Sequence, residues 1–189
     1  MSELTIPAAI RRTVRQLDKD KKLNLDLIKQ ISQILHDDGN VYLHGPVRAG
    51  KSVLAATVLL KAVEGDWVLP NFNLTFISSH QLIEDLTPDP SSNFSTKAYL
   101  KKLQNDVHWL VVDDIGCERL SDFAYQRLFL LIDWRLNWLK PTIFTSNFDI
   151  PALCDRFPGD RLLWRLEQHC QIVCMDRRHH EDRREKCRQ

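Results

Sequence analysis

Eight residues from position 45 to position 52 have the types and spacing of a phosphate-binding loop. Two glycines stand five positions apart, Lys51 and Ser52 follow directly, an apolar run precedes them and a helical pattern comes after. In such a loop, backbone N–H groups surround phosphates, the lysine charge lies beside the β and γ phosphates, and the hydroxyl binds Mg²⁺. The alternative is a glycine turn that only caps a helix. We predict that ATP and Mg²⁺ bind here, through Gly45, Pro46, Val47, Arg48, Ala49, Gly50, Lys51, Ser52 and Val53.

A second candidate is the apolar run Leu110-Val111-Val112, which ends in the acids Asp113 and Asp114. Ligands of parallel sheets bind at the carboxyl ends of the strands. Asp113 can therefore hold the hydration shell of Mg²⁺ together with Ser52, and Asp114 can orient an attacking water. Many strands end in aspartate, so the pattern gains its meaning from the glycine loop that precedes it.

Two further positions carry polar groups suited to phosphate chemistry. Asn147, at the end of Thr145-Ser146-Asn147, can reach the γ-phosphate or the attacking water, although Ser-Asn also suits an ordinary turn. Arg161 and Arg165 share a helix face, and one of them can reach the ATP of a neighbouring subunit. The simpler interpretation of these arginines is a solvated face that pairs with Asp160 or Glu167.

Composition narrows the class of protein without identifying a partner. The formal net charge of the 189 residues is +1, so the overall charge gives no argument for nucleic acid. Basic residues concentrate near both ends but are interspersed with acids, which favours two solvated surfaces over a dedicated nucleic-acid patch. The five cysteines include no CxxC pair, and the spacing of Cys170 and Cys174 before His179 and His180 fits no standard zinc finger. With no long apolar segment and no signal-peptide pattern, we expect a cytoplasmic protein without a membrane partner.

The elements that must position these residues alternate between short apolar strands and helices. We predict helices over 7–20, 24–37, 51–64, 80–86, 96–105 and 121–139, with two short helices later, and strands over 41–44, 74–78, 109–114, 141–147 and 171–175. Residues 87–93 are predicted to form a loop. This alternation predicts an α/β fold with a parallel sheet covered on both faces. We expect a helical N-terminal extension over 1–38 and an ATPase domain over 39–189.

Taken in order, these motifs resemble the AAA+ ATPases of the DnaC/DnaI-type helicase loader and IstB-like group. The resemblance rests on Val111-Val112-Asp113-Asp114-Ile115-Gly116-Cys117-Glu118, on Ile132-Asp133-Trp134-Arg135 and on Pro141-Thr142-Ile143-Phe144-Thr145-Ser146-Asn147, which follow a DDxGxE … NxR … PTIxTSN progression. It implies a three-layer P-loop NTPase with strand order 5-1-4-3-2 and ATP-driven assembly into rings or spirals. It also implies that Asn147 is the sensor 1 residue, that Arg165 is the arginine finger, and that 181–184 is an arginine-bearing C-terminal segment.

The same resemblance implies a helicase loader that acts on DNA and a replicative helicase in DNA replication. The alternative is an IstB-like ATPase that regulates a transposase and its choice of target DNA. About 40 residues precede the loop, so we expect a short partner-binding module. A small-molecule kinase is a third hypothesis, but 74–93 shows no substrate motif of that class. Arg48 stands where such loops usually have glycine, so we expect slow or partner-stimulated ATP hydrolysis, or a scaffold that binds ATP without hydrolysing it.

Overall fold

The computed structural model of the chain describes residues 4–20, 23–65, 72–88, 95–117 and 120–175. In chain order, its strands are β1 (Leu4–Thr5), β2 (Asn40–His44), β3 (Leu74–Ser78), β4 (Trp109–Asp113), β5 (Thr142–Ser146) and β6 (Cys170–Cys174). Its helices are α1 (Ala8–Lys19), α2 (Leu25–His36), α3 (Lys51–Glu64), α4 (Ser79–Leu86), α5 (Thr96–Asn105), α6 (Asp122–Asn137), a short 3-10 helix (Pro151–Leu153) and α7 (Arg161–His169). The predicted segment 181–184 and part of the predicted loop 87–93 lie outside the described residues.

The strands form one parallel sheet in the order β1-β3-β4-β5-β2-β6. When β2 is counted as the first strand, the five longer strands have the predicted order 5-1-4-3-2. Every residue of β4 and β5 is buried, which explains why β4 is an apolar run rather than an alternating pattern. Because all strands run in the same direction, the ends of β2, β4 and β5 meet at one edge of the sheet.

Strand β1 is the main difference from the predicted elements. The sequence pattern predicts only helices before residue 38, whereas Leu4 and Thr5 pair in parallel with Leu74 and Thr75 of β3. Two residues are too few to show a period-2 pattern, so the strand forms through pairing with β3 rather than through a local preference. As a result, the N-terminal segment is part of the sheet.

Two apolar clusters cover the two faces of the sheet. On one face, α1, α2 and α3 pack around Ile31, Val58 and Leu59, all fully buried. On the other face, α4 to α7 surround Leu82, Leu131 and other buried residues. Among the described helices, none combines the length and the apolar character needed to cross a bilayer. The sheet is therefore held rigidly between two helical layers, as the predicted three-layer architecture requires.

Arg135 of α6 is a fully buried cation that joins several elements. All five of its hydrogen bonds, 2.6 to 3.1 Å long, go to protein oxygens: the Thr142 hydroxyl and the carbonyls of Leu103, Val107, His108 and Pro141. Burial lowers the pKa of Arg135 to about 9, and the guanidinium remains charged at neutral pH. It thereby links the end of α5 to the starts of β4 and β5, which carry the acidic and polar site residues at their other ends.

Candidate nucleotide-binding site

The glycine loop lies between β2 and α3, and three of its residues have a positive φ angle. Gly45 has φ +148°, Arg48 has φ +69° and Gly50 has φ +92°. A Cβ at Gly45 would overlap the carbonyl oxygen of Met175, so the residue type is fixed by close approach of the chain that leaves β6. The left-handed conformation at Arg48 also explains why glycine is usual there, since a side chain at such a φ is strained.

Backbone N–H groups of this loop have no acceptor within the part of the chain that the structure describes. These are the N–H groups of Arg48, Gly50, Lys51 and Ser52, the last two belonging to the first turn of α3. Unpaired N–H groups at a helix N-terminus, together with the helix dipole, favour an anion. The loop therefore fits phosphate groups, and it opens onto a cavity of about 860 Å³.

Lys51 is 5% exposed, and its ammonium group is held by three acceptors. Its Nζ donates to the carbonyl oxygens of Gly45 at 2.8 Å and Pro46 at 2.9 Å, and to Oδ1 of Asn147 at 2.9 Å. Burial lowers the pKa of Lys51, and the carboxylates of Asp114 and Asp113 oppose that shift. Because an ammonium has three donors, a phosphate oxygen can bind Lys51 only by replacing one of these acceptors.

Asn147 connects the lysine to the acidic pair. While its Oδ1 accepts from Lys51, its Nδ2 donates to Oδ1 of Asp114 at 3.2 Å and to Sγ of Cys117 at 3.4 Å. The predicted residues Lys51, Asn147 and Asp114 therefore form one hydrogen-bonded chain at the edge of the sheet. Asp114 and Asn147 both line the cavity, which places them where a γ-phosphate would lie.

Asp113 is the last residue of β4 and is nearly buried. Its Oδ1 accepts a 2.6 Å hydrogen bond from the Thr145 hydroxyl, and the neighbouring Ser52 hydroxyl also favours the charged form of the carboxylate. Burial raises the pKa of Asp113, and these two hydroxyls oppose the shift. The Ser52 hydroxyl and the Asp113 carboxylate are hard oxygen ligands of the kind Mg²⁺ prefers, so the pair fits the predicted metal site.

Thr145 is a positioning residue to which the sequence pattern assigns no role. Its hydroxyl donates to Asp113 and accepts the backbone N–H of Asp114 at 2.9 Å, so one oxygen holds both acids. Asp114 was predicted as the end of a strand over 109–114, but it lies beyond β4 with φ +63°. This turn explains how two consecutive acids reach the same site, because alternation along a strand would separate them.

The opposite wall of the cavity comes from the N-terminal helices. Thr13 and Leu17 of α1, Leu23 before α2 and Leu27 of α2 line it. Sequence reasoning missed these residues because their helical periodicity is fully explained by packing. They give the cavity an apolar side across from the polar loop, which suits a flat nucleobase.

Arg165 is not brought to the loop of its own chain. It lies on α7, with Nε 2.8 Å from Oδ1 of Asp133 on α6, and it does not line the cavity. Arg161, its neighbour at helical spacing, is exposed. Any contact between Arg165 and a nucleotide must therefore be made with a second subunit.

The model of the IstB-like ATP-binding protein family matches residues 10–187 of the sequence. The chain belongs to this family. The match begins inside α1, so the family pattern includes most of the N-terminal helices as well as the loop. The IstB-like family is a P-loop ATP-binding family, in agreement with the predicted nucleotide. No curated protein matches the chain significantly.

Several solved structures share the fold of this IstB-like chain. The DnaC helicase loader is 25% identical, with a TM-score of 0.64 over 77% of this chain and 86% of that chain. DnaI is 20% identical, with a TM-score of 0.67 over 92% and 93%. The replication initiator DnaA bound to AMPPCP and single-stranded DNA is 16% identical, with a TM-score of 0.64 over 77% of this chain and 44% of that chain. The predicted P-loop AAA+ fold and the resemblance to this group of proteins are confirmed.

We expect Asp113→Asn to stabilise the nucleotide-free IstB-like chain while weakening its Mg²⁺-dependent binding of ATP. Below about pH 3.8 the carboxyl is protonated in both folded and unfolded states. Because burial raises the pKa of Asp113 in the folded state, the free energy of unfolding falls as the pH rises through this folded-state pKa. The asparagine side chain does not ionise, so the variant avoids this loss. Thermal unfolding should show a Tm gain of a few degrees at neutral pH, or about 1 kcal/mol.

The matched control is Asp155→Asn, which changes the same charge at an exposed position outside the cavity. Its Tm should differ little from the wild type. A lower Tm for Asp113→Asn than for the wild type at neutral pH would contradict the prediction.

Proposed function

We propose that this protein is a cytoplasmic ATPase that assembles around ATP and loads or remodels DNA-processing machinery, as a helicase loader does in DNA replication. The observation that carries the proposal is the connected set of Lys51, Asn147 and Asp114 beside the open N–H groups of the loop. A glycine turn that only caps a helix requires no such connection to two other strands. The DnaC and DnaI likenesses support the loader role.

In the proposed reaction, the loop N–H groups and Lys51 would bind the phosphates of ATP, and Ser52 and Asp113 would hold Mg²⁺, which would supply positive charge beside the phosphates. Asp114 lines the cavity and orients a water for attack on the γ-phosphate. Asn147 contacts both Lys51 and Asp114, so the hydrogen bonds of its amide change when Lys51 moves to a phosphate. Slow hydrolysis is our expectation because Arg48, with φ +69°, occupies the position of the loop where glycine is usual.

Arg165 supplies the missing positive charge from a neighbouring subunit in this proposal. Within its own chain it is paired with Asp133, and both side chains are partly exposed. Such a pair is weak in water, so a neighbour's γ-phosphate can compete for the guanidinium. The rearrangement would make ATP a bridge between subunits and explain ATP-dependent assembly.

Mixing two inactive variants tests this arrangement. We expect Arg165→Ala to lower kcat about 10³-fold, the loss of an arginine finger, and Lys51→Ala to remove ATP binding. In an equimolar mixture, the intact loop of one variant meets the intact Arg165 of the other, so ATPase activity should return in part. Phosphate release in the presence of DNA is the measurement.

The control for the mixture is Arg127→Ala, which removes an arginine of α6 that stacks on Phe123, away from the cavity. It should hydrolyse ATP like the wild type. A mixture that forms oligomers but stays inactive would show that Arg165 does not act between subunits.

A transposase is the second candidate partner, which the resemblance to IstB-like ATPases implies, and the match of the IstB-like ATP-binding model to residues 10–187 supports its inclusion. Size-exclusion chromatography with ATP distinguishes the two partners when the host replicative helicase and an IstB-associated transposase are offered separately. We expect co-elution with the helicase, and its loss in Lys51→Ala. Co-elution with the transposase alone would replace the loader role by the second candidate.

A further inference from the structure

Helix α1 has two functionally different sides. At about 100° per residue, Thr13 and Leu17 project together toward the nucleotide cavity, and Val14 beside them is buried in the core. Arg11, Arg12, Arg15, Gln16 and Lys19 fall within a separate arc of about 140°. This second side lines a groove of about 500 Å³, which also contains Ile6 and Ala8.

The cations of this groove lack negative partners within the described residues. Arg12, Arg15 and Lys19 are exposed and make no ion pair with any described side chain. Arg11 donates from Nη2 to the carbonyl oxygen of Leu4 at 3.3 Å, while its Nε is buried with no acceptor among the described atoms. The groove therefore holds four positive charges whose hydrogen-bonding capacity is largely unused.

The acid of this helix nearest to the cations is directed elsewhere. Asp18 contacts Lys61 of α3 at 2.9 Å. It therefore ties α1 to the helix that follows the glycine loop instead of neutralising the groove. A second acid, Asp20, follows the helix and accepts a 3.1 Å hydrogen bond from Nε2 of Gln16, so one acid lies at the Gln16 side of the groove.

This arrangement lowers the stability of the helix unless an anion binds. Arg11 and Arg15, and then Arg15 and Lys19, stand four residues apart, a spacing at which like charges repel. The first turn also contains no acid, and Arg11 lies in that turn, where the helix dipole disfavours cations. A polyanion in the groove would relieve both effects.

We propose that the basic side of α1 binds the phosphodiester backbone of DNA. The eight residues from Arg12 to Lys19 span about 10 Å of helix, the rise of about three nucleotides of one strand. Exposed arginine and lysine side chains suit contacts to phosphates, which require charge and reach rather than a shaped pocket. The inference rests on the proposed function for its ligand, DNA, and adds the surface that binds it.

Fluorescence anisotropy of labelled duplex and single-stranded DNA, with AMPPCP present, tests the surface. The triple variant Arg12→Ala, Arg15→Ala and Lys19→Ala should bind duplex at least tenfold more weakly at about 100 mM salt. The slope of log K against log salt should become shallower by about 2 to 3, since each phosphate contact contributes about 0.9. The full chain is used throughout.

Two variants separate a local phosphate contact from other effects. Lys97→Ala, Lys101→Ala and Lys102→Ala together remove the same charge from exposed positions of α5, and this control should stay within twofold of the wild type. Arg12→Lys with Arg15→Lys keeps the charge and should retain the salt slope. A Tm no lower than that of the wild type, together with unchanged ATP affinity, shows that the α1 variant is folded.

If the triple α1 variant binds DNA as tightly as the α5 control, the surface is wrong while the proposed function stands. If the wild type binds ATP but neither form of DNA, both the surface and the DNA part of the proposed function fail. Loss of binding to an acidic partner protein, with DNA binding unchanged, would also overturn the proposal.

Discussion

Replacement of Lys51 by alanine is expected to weaken ATP binding by at least about a hundredfold. The ammonium group would bond β and γ phosphate oxygens, and two charge-assisted hydrogen bonds contribute about 3 to 6 kcal/mol. The substitution also leaves the carbonyls of Gly45 and Pro46 and the amide of Asn147 without their donor. ATP should consequently fail to raise the Tm of the variant.

Isothermal titration calorimetry and thermal unfolding with ATP and Mg²⁺ measure this effect. ATP at about 100 times its Kd should stabilise the wild type by about 2.7 kcal/mol, and the variant should show no such gain. Lys61→Ala is the matched control, because Lys61 belongs to the same helix but pairs with Asp18 and Glu64 near the surface. Unchanged ATP affinity in Lys51→Ala would refute the nucleotide site.

Replacement of Arg135 is expected to cause the largest loss of folding stability. Arg135→Met removes all five donors. Of the four carbonyls, that of Pro141 keeps the N–H of Leu110, and the other three lose their guanidinium donor at about 1 to 3 kcal/mol each. We expect the free energy of unfolding to fall by at least about 4 kcal/mol, a large part of the 5 to 15 kcal/mol typical of a domain. Arg135→Lys should lose less, because an ammonium can replace three of the five bonds.

Urea unfolding without nucleotide gives these differences directly. Arg127→Met on the same helix is the control, and it should change stability by no more than about 1 kcal/mol, as surface substitutions usually do. A loss below about 1 kcal/mol for Arg135→Met would mean that water or other donors satisfy the three carbonyls. ATP affinity measured at low temperature should be retained in Arg135→Lys, because the residue does not line the cavity.

The features of the site that could be predicted from the sequence are those that depend on the local order of residues. The loop between β2 and α3 needs glycines at fixed spacing. Asp113 ends β4 and Asn147 follows β5, and the parallel direction of these strands brings their ends together. Five strands could be ordered because the motif succession resembles one group of AAA+ proteins. These features do not depend on knowing which distant side chains touch.

The remaining features depend on such contacts. Thr145 holds both acids only because β4 and β5 are neighbours in the sheet, and the carbonyl partners of Arg135 lie on α5 and in the loops before β4 and β5. Leu17 and Leu27 follow the same periodicity as core residues, so nothing in the pattern separates a cavity wall from a packed interior. The pairing of Arg165 with Asp133 likewise joins α7 to α6, and the spacing of residues along the sequence does not indicate it.

Strand β1 also has a bearing on how the molecule avoids self-association. Pairing with Leu74 and Thr75 covers the start of β3, which would otherwise be an open hydrogen-bonding margin at that side of the sheet. The segment that follows β1 continues into α1, whose unneutralised cations repel a second copy approaching along the same margin. A two-residue edge strand followed by a charged helix offers little margin for pairing with another sheet, so we expect the chain to resist association at this edge.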